Sequence, residues 1–359
     1  MAFHERIGNL HIHTILSDGH ATHAEVAAFA ARAGLDVVVV TDHNVYAGAA
    51  QGWHGDVLVL VGEELHDPED AAHNHLLAIG IDRDVAGGDA GAQARIDAVN
   101  AAGGLAFLAH PIEHSGACAG EPEIDWVCWG VSGYAGLEIW NYMSEFKAHL
   151  TNWPLTVLAA YWPQLVIRGP HPETLALWDE LLADGPVVGI AGTDAHGATY
   201  SLGPLCRQVL PYAYLLSALN THLLVREPWS GDAARDAALV WEALRRGRAF
   251  MAYDGLAPAR GFSFTAESAG GSYAMGETVD AAGEVTLRVA APRRVRLRLV
   301  RNGSLVAEAT GMHLTHRTRE AGVYRVEAYR RYAGRQRAWV LSNPIRVRAL
   351  TTGYPQGAR

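Results

Sequence analysis

Two hydrophobic periods divide the chain. Through the first 255 residues, short apolar runs alternate with longer stretches of helical spacing, the pattern of β/α units around a largely parallel sheet. Leu10 to His13 reads as a strand, and Ala24 to Ala33 as an Ala-rich helix with Gly34 at the C-cap position. Asp36 to Thr41, Val57 to Gly62 and Leu76 to Ile81 read as further strands. A helix over Ala90 to Ala102, closed by Gly103-Gly104, leads into the strand Leu105 to Ala109; Gly136 to Trp140 and Val187 to Ala191 are strands, with a helix from Pro172 to Leu182 between them. Roughly seven repeats of one supersecondary unit imply barrel-like closure. The segment from about 113 to 169, with Trp126, Trp129, Trp153 and Trp162, fits no clean repeat and reads as an insertion beside the barrel mouth.

After Tyr253-Asp254-Gly255 the period changes to two. Thr286 to Ala290, Val295 to Val300, Leu305 to Ala309, Val323 to Tyr329 and Arg337 to Leu341 alternate apolar residues with Arg, Thr or Glu, and Asn302-Gly303 is a type I′ hairpin signal. Short strands separated by turn residues predict an all-β, immunoglobulin-like sandwich of about 100 residues. The expected fold is α/β: a barrel over residues 1–255 followed by a small sandwich over 256–359. A chain of 359 residues is long enough for both cores.

Composition sharpens this division. Of 18 His, 16 lie before residue 256; residues 256–359 carry a formal charge of +10 with no Lys, and the first part carries −19. An acidic, His-rich part suits a site for several cations, because imidazole and carboxylate are the usual ligands. The arginines of the second part (Arg294, Arg296, Arg298; Arg325, Arg330) alternate with apolar residues on single strands, as on a solvated sheet face. With no nucleic-acid-binding motif and no interleaved stacking aromatics, nucleic acid is disfavoured as a partner. Docking of the basic part onto the acidic barrel, or onto another subunit in a homo-oligomer, explains the opposed charges more simply. Cys118, Cys128 and Cys206 show no CxxC spacing, which fits a reducing compartment. The N-terminus has no apolar h-region and no apolar run approaches about 20 residues, so no membrane span is expected and the chain reads as cytoplasmic.

The His and acidic residues worth noticing in the first part fall at predicted strand ends: His11 and His13 (HIH), Asp18 (SDG), Asp42 and His43 (TDHN), Glu63 and Glu64 (GEE), His75, His110 (AHP), and Asp194 and His196 (TDAH). In a parallel β/α architecture those ends share one face, so residues distant in sequence converge there. His-x-His on a strand points both imidazoles to one side, which suits two ligands on one metal. Taken singly, TDHN is also a helix start capped by Asp, and AHP a core histidine before a turn. Six such coincidences at six strand ends argue for a common site.

HIHT followed by SDG, then GLDVVVVTDHN, then G-x-E with a His eleven residues later, then AHP and finally GTDAH resemble, in that order over about residues 8–200, the PHP family, the polymerase and histidinol phosphatase metallohydrolases. GLEIWN, RGPHPETLALWDELL and GVYRVEAYRRYAGRQRAWVLSNPI further resemble a subgroup named after a carbaryl hydrolase, in which the PHP barrel precedes a β-sandwich. The resemblance implies a distorted barrel of seven strands with two or three divalent ions, Zn, Mn or Fe, at its C-terminal face. Position by position, it implies His11, His13, Glu64 and Asp194 on a first metal. Glu64 would bridge to a second, completed by His75 and His110, and Asp18, His43 and His196 would hold a third. Glu64 is preferred to Glu63 because the family pattern is G-x-E and Gly62 sets the count.

A water bridging two divalent cations loses its proton near neutral pH and can attack phosphorus or a carbonyl, while a third cation neutralises developing charge. His196 or a metal-bound water, and then His114, are the candidates for protonating the leaving group, and Asp194 is the ligand on which catalysis is expected to depend. Arg168 and Lys147, the only Lys, could neutralise an anionic group of the substrate, and Asn141, His171 and Tyr46 are further lining candidates. His4, His20, His23, His54, His66, His73, His149 and His222 are expected to be surface or capping residues. The expected activity is metal-dependent hydrolysis of a small-molecule phosphate ester, mono- or diester. The alternatives are a carbamate, amide or carboxylic ester hydrolase with the same site, and a non-catalytic metal- or partner-binding module, which would require missing ligands.

Overall fold

The computed structural model describes residues 3–85, 91–120, 122–202 and 205–349. Its first half runs β1 (His4–Asn9), α1 (His23–Ala33), β2 (Val37–Val40), β3 (Gly52–His54), β4 (Val57–Val61), β5 (Glu63–Leu65), β6 (Leu76–Ile79), α2 (Ala92–Ala101), β7 (Leu105–Leu108), β8 (Gly136–Asn141), α3 (Tyr142–Ala148), α4 (Trp153–Tyr161), α5 (Pro172–Asp184) and β9 (Val188–Gly192). A hairpin, β10 (Thr199–Leu202) and β11 (Leu205–Gln208), then leads to α6 (Tyr212–Ala218), β12 (Leu219–Val225), α7 (Ala233–Arg245) and β13 (Ala249–Tyr253). The remainder is all strand: β14 (Ser263–Ser268), β15 (Gly271–Ala274), β16 (Thr278–Ala281), β17 (Val285–Arg301), β18 (Ser304–Thr318), β19 (Gly322–Tyr332), β20 (Arg335–Ser342) and β21 (Ile345–Ala349). Ala90, the expected first residue of α2, and the side chain of Cys206 lie outside the described residues.

Local signals are realised where they are strongest. α1 opens with a reciprocal capping box between Thr22 and Glu25 and ends on Gly34 at φ 77°, whose N–H meets the carbonyls of Ala30 and Ala31. Asn302 and Gly303 take φ 48° and 77° between β17 and β18, the type I′ geometry. The two strands expected at Thr286–Ala290 and Val295–Val300 are one, β17, with a register shift between Ala290 and Val295; Pro292, which has no N–H to give the ladder, falls inside that irregularity.

The fold differs from the expected closed barrel and separate sandwich. One sheet carries β3-β4-β2-β1-β12-β13 and a second carries β5-β6-β7-β8-β9. They do not close into one hydrogen-bonded ring; single bridges, Ile12 to Ala195 and His43 to Glu64, join them at one end. β6 is antiparallel to both β5 and β7, so the sheet is mixed. The C-terminal strands extend the first sheet, because β20 pairs with β13, and they curl around a core of their own that includes Phe264, Leu287, Leu297, Tyr324 and Trp339. The C-terminal strands thus belong to one hydrogen-bonded sheet with the first half, not to the two separate sheets of the expected immunoglobulin-like arrangement. Arginines of this region pair with its own carboxylates (Arg288–Glu267, Arg296–Glu308, Arg348–Asp280), and Arg325–Asp179 and Arg260–Asp36 cross to the acidic first half. No helix of the described residues is long and apolar enough to cross a membrane.

Candidate metal centre

The bridged end of the two sheets gathers the strand-end residues. β1 stops at Asn9, and the next residues leave its ladder to bond elsewhere: His11 O accepts from Asp194 N (3.0 Å), His13 N donates to Ala195 O (3.0 Å) and Ile12 O accepts from Thr41 N (2.8 Å). His11 and His13 therefore sit between β2 and β9, not within β1. His75 reaches the same face for a different reason: it precedes β6, and the reversed direction of that strand brings its start, not its end, to the cluster. Pleating decides between the two glutamates. Glu64 points into the cluster, whereas Glu63 points away, accepts from Val85 N (3.0 Å) and is pushed by burial up to about 7.

Glu64 lies at the centre. Its Oε2 is 3.0 Å from His11 Nε2, 3.1 Å from His13 Nε2 and 3.3 Å from His43 Nδ1, and its Oε1 is 2.8 Å from His75 Nδ1 and 3.1 Å from His110 Nε2. Asp194 Oδ1 closes the first group, 3.4 Å from His11 Nε2 and 3.1 Å from His13 Nε2. Asp18 faces His196 Nε2 at 3.2 Å and His43 Nε2 at 3.6 Å. Three sets, His11/His13/Glu64/Asp194, His13/Asp18/His43/His196 and His43/Glu64/His75, each bring their ligand atoms within 4.8 Å of one another.

The donor set can be tested for a cation by asking where the ring protons are. A carbonyl or carboxylate oxygen can only accept, so the ring nitrogen facing it carries hydrogen. His11 Nδ1 faces Glu138 Oε1 (3.0 Å), His75 Nε2 faces Ala71 O (2.9 Å), His110 Nδ1 faces Ile124 O (3.2 Å) and His196 Nδ1 faces Asp194 O (2.8 Å). The other nitrogen of each ring then aims a lone pair at carboxylate oxygens, and His11 Nε2 also faces His13 Nε2 across 3.1 Å. Nδ1 of His13 and of His43 is buried without a hydrogen-bond partner. Lone pairs and anions at such distances repel unless a cation or a proton lies between them, so these residues fit divalent metal.

Protons alone reveal the same demand. Burial by itself would lower His11, but Asp194, Glu138 and Glu64 outweigh it and hold it well above its ordinary value; His110, beside Glu64, and His196, beside Asp194 and Asp18, are each pushed up to about 9 against the same opposition from burial. Burial would raise Glu64 and Asp194, yet the surrounding imidazoles hold both well below the carboxylate range.

The backbone is built tightly around this cluster. Asp194 and His110 have positive φ, 55° and 27°. Gly192 passes so close to the first ligand that a Cβ there would lie 2.5 Å from His11 Cβ and 2.2 Å from Glu138 Oε1.

Residues outside the expected ligand set hold the cluster in place, and one of them, Glu138, was not singled out by sequence. Glu138, on β8 and 1% exposed, accepts from His11 Nδ1, from His110 N (3.0 Å) and from Asn141 Nδ2 (2.9 Å). The signal available was a lone Glu inside the apolar run GLEIWN. His66 stacks on His75 (centroids 4.7 Å apart) and meets His43 edge-on. Asp42 stays outside the ligand set and accepts from Thr14 N, Thr14 Oγ1 and Ser17 Oγ at 2.6, 2.6 and 2.7 Å, fixing the loop that carries Asp18.

A cavity of about 310 Å³ opens over the cluster, lined by Asp18, His43, Glu64, His75, His110, Asp194 and His196 together with Glu113, Met143 and Lys147. The lining candidates divide. Lys147 is in this cavity but buried and paired with Glu113. Asn141 caps α3 through Ser144 N (2.9 Å) and turns its amide to Glu138 and Asp194, so it supports the ligands. Tyr46 places its hydroxyl on Ile81 O (3.2 Å), away from this lining. His114, His171 and Arg168 line a separate cavity.

No family model matches the chain, and no curated protein matches it. Among solved structures it is similar to a two-domain protein from Bacteroides vulgatus containing a predicted PHP-like metal-dependent phosphoesterase, at 15% identity and TM-score 0.47 over 95% of each chain. It is also similar to a provisionally assigned metal-dependent phosphoesterase from Bifidobacterium adolescentis, at 15% identity and TM-score 0.33 over 57% of this chain and 92% of that one. A third is an amidohydrolase from Chromobacterium violaceum with bound sulfate and no metal, at 18% identity and TM-score 0.33 over 58% of this chain and 95% of that one.

Proposed function

We propose that this chain is a metal-dependent hydrolase of the PHP type and that the bond it cleaves is a phosphate ester, mono- or diester. The observation that carries this reading is the set of imidazoles whose second nitrogens are tied to acceptors, leaving lone pairs that converge on Glu64, Asp194 and Asp18. His11, His13, Glu64 and Asp194 would hold one divalent ion, Glu64, His75 and His110 a second, and Asp18, His43 and His196 a third. Such ions, Zn, Mn or Fe, bring the pKa of water towards neutrality and take up negative charge as it develops on the substrate.

The chain's own residues supply orientation and proton handling. Glu138 fixes the ring plane and tautomer of His11, and Glu113, Met143 and Lys147 wall the cavity above the cluster. His196 has its Nδ1 anchored on Asp194 O, so its Nε2, facing the cavity beside Asp18, would serve either the third ion or, where that site holds none, the leaving group as its acid; with the third ion bound, a metal-bound water would take the acid's part. The second reading, a carbamate, amide or carboxylic ester substrate, draws support from the lining itself. Its one ammonium, Lys147, is already matched by Glu113, and Arg168 is elsewhere, so metals alone would face an anion.

Aryl phosphates, phosphodiesters, aryl esters and aryl carbamates assayed with Mn and Zn separate these readings. Turnover of the phosphates, lost in Asp194→Ala, is expected. Turnover of esters or carbamates alone would move the assignment to the second reading, and no turnover of any class would refute hydrolysis.

A further inference from the structure

The second cavity, about 730 Å³, lies where the first half meets the C-terminal strands, and three carboxylates face it. Each is already engaged. Asp179 accepts from Arg325 Nε and Nη2 at 2.7 and 2.6 Å, and Glu327 accepts from Arg298 (2.8 Å), Arg325 (2.7 Å) and the Tyr329 hydroxyl (2.9 Å). Glu145, itself buried, accepts from Trp140 Nε1 (2.8 Å), Gly169 N (2.9 Å) and Arg168 N.

His149 Nε2 lies 3.6 Å from Glu145 Oε1, whereas the guanidinium of Arg168 is exposed on this lining and the Nε2 of His171 is buried there without a hydrogen-bond partner. Arg168 is presented rigidly. Its N–H is held by Glu145, and its carbonyl accepts from Ala338 N at 2.7 Å. Buried Arg337 donates to Ile167 O and, at 2.7 Å, to Leu165 O. The backbone is therefore fixed on both sides while the side chain stays free.

We infer that this cavity binds a small anion, a carboxylate or phosphate group, with Arg168 as the anchor and His171 as a second donor. A guanidinium fork receives either group through two parallel N–H bonds. A cationic ligand would meet acceptors that are already filled. The anion has two sources, a charged tail of the substrate held at the metal cluster or a separate effector. Consecutive residues line the two cavities, Glu113 the first and His114 the second. Only the substrate-tail source rests on the hydrolase reading; the anion site itself does not.

Calorimetric titration of inorganic phosphate and of succinate into the full-length, as-purified protein and its variants tests the site. Arg168→Ala is expected to weaken at least one of these anions tenfold or more, with Arg168→Lys intermediate and His171→Asn weaker than wild type, all at unchanged circular dichroism. Equal affinities in wild type and Arg168→Ala for both anions would overturn the site and leave the hydrolase reading untouched, since no turnover is read. Kinetics then assign the source. If Arg168→Ala raises KM only for a carboxylated version of the substrate, the group is the substrate's tail; if free succinate changes turnover in wild type but not in Arg168→Ala, it is an effector.

Discussion

Glu138→Gln should weaken metal binding without unfolding the protein. The carboxylate has one oxygen on His11 Nδ1 and the other shared by His110 N and Asn141 Nδ2, at 3.0, 3.0 and 2.9 Å. Glutamine keeps the volume but has one acceptor. If its oxygen serves His11, its NH2 confronts the other two donors and leaves buried hydrogens unpaired, at about 1–3 kcal/mol. If its NH2 serves His11, the imidazole must carry its proton on Nε2, the nitrogen that faces His13, Glu64 and Asp194. Either arrangement misorients the first ligand, for which a loss of about 10–100-fold in metal affinity, about 1.4–2.7 kcal/mol, is expected. Competition titration of Zn or Mn into chelator-stripped wild type and variant measures this, with thermal unfolding of the same samples as the fold control. Wild-type affinity in Glu138→Gln would refute the argument that Glu138 sets the His11 tautomer.

Three further outcomes follow from particular contacts. In stripped protein, His110 and His196 are pushed up to about 9 by Glu64 and by Asp194 with Asp18 in spite of burial, so the stability they lend is complete below about pH 6.5 and is lost as the pH rises through 9. The melting temperature of stripped protein should fall across that window and recover on adding metal at pH 9; a flat profile would contradict the cluster's electrostatics. Gly303→Ala places a Cβ at φ 77°, 3.5 Å from Asp179 Cβ, and should cost about 1 kcal/mol in urea denaturation, whereas an unchanged midpoint would count against the type I′ turn. Arg325→Ala takes from Asp179, whose side chain is 15% exposed, both of its guanidinium bonds and from buried Glu327 one of its three donors, and should cost about 3–5 kcal/mol by the same assay; under about 1 kcal/mol would mean the pairs are screened by solvent.

The parts of the site that could be read from sequence are those encoded by local pattern. HIH, TDHN, AHP and TDAH each follow a short apolar run, and such runs end on a common face whichever sheet they join. The Asn302-Gly303 turn is likewise local. What escaped the sequence depends on long-range pairing. The reversal of β6, which brings His75 in by its strand start, is set by its neighbours β5 and β7, and no residue in LLAI announces it. Glu138 acts on His11 across 127 positions, and Lys147 is neutralised by Glu113 across 34. The same holds for the partition of His114, His171 and Arg168 into a second cavity, which depends on β20 docking against the segment before α5. The closed seven-strand barrel failed as an expectation because strand number does not dictate closure; the bridges at Ile12 and His43 join the two sheets only at the end that carries the ligands.

The central claim is that converging lone pairs around Glu64 exist to hold metal. Elemental analysis of the purified full-length protein, set against Asp194→Ala prepared in parallel, tests it most directly. The account predicts two or three divalent ions per chain in the wild type and fewer in the variant; less than one ion per chain in the wild type, after dialysis against Zn or Mn, would contradict it.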